Sequence, residues 1–257
     1  VYKIYYSTRD NQNRSKPRVA TFTKQLVIIS DWPIEIPLGK PGTFDSHGIM
    51  PSSIITQDDG TKFMYYVGWS KRIDVPYWNS TGLAISKDNG VTWEKYSEGP
   101  VFIGDGGNWV GTVDVEEHEG FFDMLYSSAH WEEIDGKLEP IYDVKYAQSI
   151  NLINWDVTGD EMVSLEGEEG GIAAAREKDG KRYYSIRNKK DYRTNPINSY
   201  KIQSWDANTN ETIDELLPSG DEIMCAYPFV IEEEDKYIMF YNSDFGKSGI
   251  SYAIKMK

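Results

Sequence analysis

His47 is separated from Asp45 by a single serine and precedes Gly48, and His130 stands directly before Trp131. Histidine is the side chain whose proton moves near neutral pH, so each is a candidate for acid–base work or for holding a hydroxyl, against the alternative of a hydrogen-bonded structural histidine. The third histidine, His118, falls in a Glu-Glu-His-Glu turn and reads as solvent-exposed. Trp69, Tyr77, Trp78, Asn79, Arg187, Tyr192 and Tyr227 combine flat apolar faces with planar hydrogen-bonding groups. That is the chemistry that holds a ring with CH faces and many hydroxyls, as a sugar has. Arg176 and Arg187 offer planar forks that fit a carboxylate or a phosphate, although Arg176 equally suits neutralising Glu169. No His or Cys cluster has metal-ligand spacing and Cys225 has no base beside it, so the residues themselves require neither a cofactor nor a thiol nucleophile.

These side chains are positioned by an internal repeat. The stretch 62–69 (KFMYYVGW) has relatives at 2–7 (YKIYYS), 121–127 (FFDMLYS), 181–186 (KRYYSI) and 236–242 (KYIMFYN). With Tyr5, Tyr65, Leu125, Tyr183 and Phe240 as equivalent positions, the intervals are 60, 60, 58 and 57 residues. Four copies follow a turn signal (Asp59-Gly60, Glu119-Gly120, Asp179-Gly180, Glu234-Asp235), which marks them as second arms of β-hairpins. Apolar runs precede four of the five and follow all five, and no helical period is evident. Three or four strands per repeat in five repeats predict an all-β, five-bladed β-propeller. Aromatic residues also stack between blades in any propeller, so Tyr65, Tyr66, Tyr183, Tyr184 and Tyr241 read as core.

The expected organisation is one domain over 1–257, with blades at about 1–43, 44–104, 106–165, 168–218 and 221–257. The first blade lacks the inner strand that should precede Val1, and the fifth stops after its third strand. An N-terminal segment that supplies the missing strand is expected, or a partner chain that fills the gap. The segment 86–93 (SKDNGVTW) matches the Asp-box turn, and 149–155 (SINLINW) is a degenerate copy. Here the Asp accepts backbone N–H bonds, the Gly supplies positive φ and the Trp packs inward, so Asp88 and Trp93 are read as structural.

A net charge of −14 argues against nucleic acid or an anionic membrane as partner. No apolar run approaches the ~18 residues of a membrane span. The single cysteine excludes an internal disulfide framework and fits a reducing, cytoplasmic compartment, although secreted bacterial glycan enzymes also do without disulfides. Nothing in the sequence sets an oligomeric state.

Five blades of about 60 residues, Tyr-rich second strands, Asp-box turns and Gly99-Pro100-Val101 after a blade resemble the five-bladed glycoside hydrolases of families 32, 43, 62, 68, 117 and 130. The segments 44–52 (FDSHGIMPS), 65–69 (YYVGW), 77–86 (YWNSTGLAIS) and 222–228 (EIMCAYP) look like a group of uncharacterised bacterial glycosidase-like propellers. The resemblance implies a carboxylate on the inner strand of each of three successive blades: an Asp base or nucleophile, a pKa-tuning Asp and a Glu acid. The matching places are Asp45, Asp114 and Glu169 (with Glu168). Departures are Met50-Pro51 and Tyr227-Pro228 in place of Asp-Pro, Thr112-Val113-Asp114 in place of Arg-Asp-Pro, and Asp45 about six residues early. Glu222 is a rival acid. Asp45, Glu169 and Glu222 are thus the expected catalytic carboxylates of a glycoside hydrolase acting on a glycosyl-containing small molecule. The alternatives are a non-catalytic glycan or sugar-nucleotide binding propeller linked to polysaccharide metabolism, and a scaffold whose acidic face binds a protein. Some of the resembling families also hold an axial cation such as calcium.

Overall fold

The computed structural model describes residues 1–163, 169–178, 180–206, 208–246 and 249–257, with the backbone alone for 160–163, 169 and 172–174. Eighteen strands follow one another with no α-helix among the described residues. They are β1 (Tyr2–Arg9), β2 (Ser15–Phe22), β3 (Ile28–Pro33), β4 (Gly48–Thr56), β5 (Lys62–Ser70), β6 (Trp78–Ser86), β7 (Glu94–Lys95), β8 (Trp109–His118) and β9 (Phe121–Ile134). Then come β10 (Lys137–Ser149), β11 (Asp156–Val163), β12 (Glu169–Lys178), β13 (Lys181–Asn188), β14 (Lys201–Asp206), β15 (Glu211–Leu216), β16 (Cys225–Glu232), β17 (Lys236–Ser243) and β18 (Ile250–Met256). The chain forms two compact units, residues 1–124 with 147–157 and residues 125–146 with 158–257.

In the first unit, β1, β2 and β3 make one antiparallel meander and β4 to β7 another. A single parallel pair, Ser15 opposite Gly48, brings the start of β2 to the start of β4. β5 is buried along nearly its whole length, which is why it carries Phe, Met, Tyr, Val and Trp without polar alternation. The core holds Ile34, Ile36, Ile49, Met64, Tyr66, Ala84 and Trp93, with Tyr5 and Phe44 packed on it. Tyr65 is also fully buried; its hydroxyl donates to the Leu152 carbonyl at 2.6 Å, and its ring meets Trp155 edge-on. β4 is tied to β8 by side chains: Ser52 Oγ donates to Val113 O at 2.7 Å, and Val115 N–H donates to Ser53 Oγ at 3.0 Å.

Two turns of this unit are built alike. Asp88 accepts from Val91 N–H (3.0 Å), Thr92 N–H (2.9 Å) and the Thr92 hydroxyl (2.6 Å). Asn89 and Gly90 both take positive φ, and Trp93 turns inward and donates to Gly90 O at 3.2 Å. In the second turn Asn151 accepts from Ile153 N–H and Asn154 N–H at 3.0 and 2.9 Å.

In the second unit β12 to β15 form an antiparallel meander and β16 to β18 a three-stranded one. Gly171 meets Tyr142 of β10 in a parallel pair that repeats the Ser15–Gly48 arrangement. One core cluster holds Leu125, Val144, Ala175, Tyr184 and Ile186, and another holds Tyr192, Tyr200, Met224 and Ala226. His130 and Trp131, expected on a loop after the second strand, lie inside β9, which runs on to Ile134.

Candidate functional site

The chain enters β4 through Ser46-His47-Gly48, and backbone bonds fix the entry from both sides. His47 N–H donates to Trp69 O at 3.0 Å, and Ser15 N–H donates to His47 O at 3.0 Å. A Cβ on Gly48 would lie 2.0 Å from Trp69 Nε1 and 2.6 Å from Ser15 Cβ. Only glycine lets the indole cross there, and the indole N–H then donates to Ser15 Oγ at 2.9 Å. The His47 ring sits 5.6 Å from the Trp69 ring on centroids.

His47 Nδ1 lies 3.0 Å from Ser46 Oγ and receives the Lys71 backbone N–H at 3.4 Å. A backbone N–H can only donate, so Nδ1 is the acceptor and the ring proton sits on Nε2. Burial, then the charges of Lys71 and Arg14, hold the His47 pKa below its ordinary value, and the ring is neutral at pH 7. It is a hydrogen-bond donor through Nε2 rather than a cation.

Beside it, the Arg9 guanidinium lies 4.6 Å from the Trp69 ring centroid. Asn79 stands opposite Trp69 in the β5–β6 pairing. It is 8% exposed, and its Oδ1 has no hydrogen-bond partner among the described residues. An orphaned buried acceptor costs about 1–3 kcal/mol, so a ligand hydroxyl that donates there recovers free energy the folded protein lacks. Tyr77 meets Trp109 edge-on and Trp78 lies near Arg72, both half-buried at the start of β6. Trp69 itself is 7% exposed with Arg9 over one face, so its role is to set the neighbouring groups rather than to offer a platform.

The expected carboxylates sit differently from one another. Asp45 is 1% exposed and pairs with Lys95 Nζ at 2.6 Å. It also accepts from the Tyr66 hydroxyl at 3.1 Å and the Thr43 hydroxyl at 3.2 Å. The Tyr66 phenol is pushed up by burial first and by Asp45 next. Gly39 closes over the carboxylate, since a Cβ there would come 2.1 Å from Asp45 Oδ1. Asp114 is half-buried on β8. Glu168 and the Glu169 side chain lie outside the described residues. Glu222 is half-buried in a turn where its Oε2 receives Ser219 N–H at 3.3 Å, and its charge helps raise the Tyr241 phenol pKa after burial.

In the second unit the arginine and aromatics form a packed cage. Arg187 is 2% exposed, stacked 3.7 Å from the Tyr192 ring centroid. It donates to Tyr200 Oη at 3.0 Å, to Asn188 O at 2.9 Å and to Pro140 O. Tyr192 gives its hydroxyl to Glu139 at 2.9 Å. Arg187 and Tyr192 are thus engaged with the protein itself. Arg176 lies 5.7 Å from the Phe229 ring centroid, and His130 is exposed on β9. Tyr227 is 49% exposed with φ of +60°, a conformation costly for an aromatic residue, and its N–H is held by Ser185 Oγ at 2.8 Å. His118, exposed at the end of β8, stacks on Phe121 and meets Asp123 at 3.1 Å. The buried Cys225 thiol is pushed up to about 12 by burial, which keeps it inert. Among the described residues no three His, Cys, Asp or Glu side chains are grouped to hold a metal ion.

Sequence reasoning missed Lys95, Lys71, Arg72, Arg9 and Arg14. The only local signal was the break in polarity after Trp69, which reads equally as a solvated turn. A cleft of about 580 Å³ lies at the far ends of β4 and β5, lined by Gln57, Asp58, Asp59, Glu117 and Phe122, away from these groups.

No profile of a known protein family matches the chain. It is 29% identical to the uncharacterized protein Rv1502 of Mycobacterium tuberculosis over 269 aligned positions, spanning 99% of this chain and 88% of that protein. Among solved structures, a family 32 β-fructofuranosidase of Bombyx mori superposes with TM-score 0.67 at 16% identity, covering 93% of this chain and 51% of that one. This chain therefore spans about half the length of the silkworm enzyme. A glycosyl hydrolase from Bacteroides ovatus superposes with TM-score 0.65 at 17% identity, covering 99% of this chain and 81% of that one. The β-1,2-mannobiose phosphorylase of Listeria innocua, in complex with β-1,2-mannobiose, gives 0.61 at 16% identity, covering 93% and 66%. The likeness is one of fold: this is an all-β, glycoside hydrolase-like propeller.

Proposed function

We propose that this protein acts on a carbohydrate, with the sugar held where β4, β5 and β6 meet at His47, Trp69 and Asn79. The observations that carry this reading are the orphaned Asn79 Oδ1, on the residue opposite Trp69 in the β5–β6 pairing, and the neutral His47 imidazole against the Trp69 ring. An acceptor and a donor that both neighbour Trp69 suit a polyol, whose hydroxyls both give and take hydrogen bonds. The glycoside hydrolases and the phosphorylase among the superposed structures support the class. In this reading the meanders are five blades of one domain, the first without an inner strand.

For turnover, a hydrolase needs one protonated and one ionised carboxyl flanking the glycosidic bond. Asp45, held by Lys95, is the proposed base or nucleophile, with Glu169 or Glu222 as the proton donor. A second reading, sugar binding without turnover, is favoured by that same ion pair, because it takes the expected base out of reach of a substrate.

Aryl glycosides and oligosaccharides, with and without inorganic phosphate, separate the two. Turnover that disappears in Glu169→Gln and Glu222→Gln while the variants stay folded supports the enzyme. Calorimetric binding without turnover supports the binding module. If Asn79→Ala leaves both affinity and turnover unchanged, the sugar is not at this corner.

A further inference from the structure

Acidic side chains outnumber basic ones 41 to 27, so an anion approaching this protein generally meets repulsion. The corner at His47 has the opposite sign. Lys71 and Arg72 follow β5 directly, and Arg14 immediately precedes Ser15, the residue that receives the Trp69 N–H. Arg14 is paired with Asp10 at 2.8 Å. Lys71 and Arg72 are exposed, and among the described residues no carboxylate comes within ion-pairing distance of either. Asp74, the nearest acid in sequence, instead accepts the Val75 N–H at Oδ1, 3.1 Å away. The positive charges of Lys71 and Arg14 are both felt at His47. Lys71, whose N–H reaches His47, and Arg72, against the Trp78 ring next to Asn79 in the chain, thus bring to this corner two cations without an ion-pair partner among the described residues.

We infer that the ligand of the His47 corner is an anionic carbohydrate, one carrying a carboxylate or a phosphate monoester that pairs with Lys71 and Arg72. The inference rests on the carbohydrate reading above and adds the charge of the substrate. His47 Nε2–H is suited to the same oxyanion as a neutral donor, and Asn79 Oδ1 to a ring hydroxyl. Both cations lie on the exposed segment after β5, so replacing them leaves the core of the first unit intact.

The test is titration calorimetry at low salt with glucose, mannose and galactose, each as neutral sugar, uronate and 1-phosphate, and with inorganic phosphate alone. A hydrogen bond to a charged group contributes about 1.5–3 kcal/mol. The charged form of at least one sugar should therefore bind roughly tenfold to hundredfold more tightly than its neutral form. The gap should shrink with added salt and vanish in Lys71→Met/Arg72→Met. The uronate and phosphate arms tell which oxyanion is taken. Equal affinity for neutral and charged forms overturns the inference and leaves the carbohydrate reading standing. Inorganic phosphate that binds as well as any sugar phosphate, with neutral sugars and uronates silent, overturns the carbohydrate reading and leaves an anion site. A charge preference that survives the double substitution, or no binding by any probe at millimolar concentration, also overturns it.

Discussion

Lys95 and Asp45 are fifty residues apart in sequence and 2.6 Å apart in the folded chain, both largely out of water. Tyr66 and Thr43 complete the shell around the carboxylate. Removing one partner of a buried ion pair leaves an uncompensated charge and costs about 3–5 kcal/mol. Asp45→Asn and Lys95→Met should each lower unfolding free energy by about that amount in urea titrations, and Asp45→Asn/Lys95→Met should lose less than the sum. If Asp45→Asn keeps wild-type stability and loses turnover, Asp45 is chemical rather than structural.

The contrast between what was legible and what was not follows the range of the interactions. The second strands, such as β5 and β13, announce themselves because burial on both faces demands a continuous apolar run of a kind rare elsewhere in an acidic chain. The Ser86–Trp93 turn is legible for the opposite reason, since all its bonds close within eight residues. Asp45 stands out by type and place, yet its ion-pair partner, Lys95, lies on β7, and no local pattern points to it. Arg187 and Tyr192 have the right chemistry for a sugar, and long-range packing applies it to each other. Lys71 and Arg72 look like an ordinary solvated turn, and only the imidazole that Lys71 reaches and the lack of a paired acid among the described residues give them meaning.

The Asp88 turn gives a pH-dependent prediction. Hydrogen bonds from Thr92 and Ser86 hold the Asp88 carboxyl down to about 2, against an ordinary value of 3.8. Its folded value is the lower one, so its contribution is present above pH 4 and is lost as pH falls from 4 towards 2. Asn151 makes equivalent bonds in the second turn, which predicts that Asp88→Asn keeps the turn without the titration. Between pH 4 and pH 2 the stability of the wild type should fall more steeply than that of Asp88→Asn. Parallel curves from thermal melts would refute this.

Gly48→Ala should disturb the site more than the fold. The added methyl collides with Trp69 Nε1, so the indole must give up Ser15 or the backbone must shift. Overpacking of this kind costs about 1–3 kcal/mol. Displacing the ring also moves its neighbours His47 and Arg9. Weaker ligand binding and altered tryptophan fluorescence are expected in a protein that still folds, and unchanged affinity would place the ligand elsewhere.

Asn79 offers the sharpest separation of stability from function. In the free protein its buried Oδ1 lacks a partner, a cost that an apolar residue of similar volume would not bear. Asn79→Leu should therefore raise the unfolding free energy by about 1 kcal/mol, because the orphaned acceptor is gone and the branched heavy-atom skeleton is kept. The same substitution removes the group proposed to receive a sugar hydroxyl, so affinity should drop by about tenfold or more. A stabilised variant with weakened binding identifies Asn79 as a polar group kept at the expense of stability, as functional sites commonly are. Were Asn79→Leu less stable than the wild type, its amide would have a structural partner in the fold, and the assignment of the sugar to this corner would lose its main support.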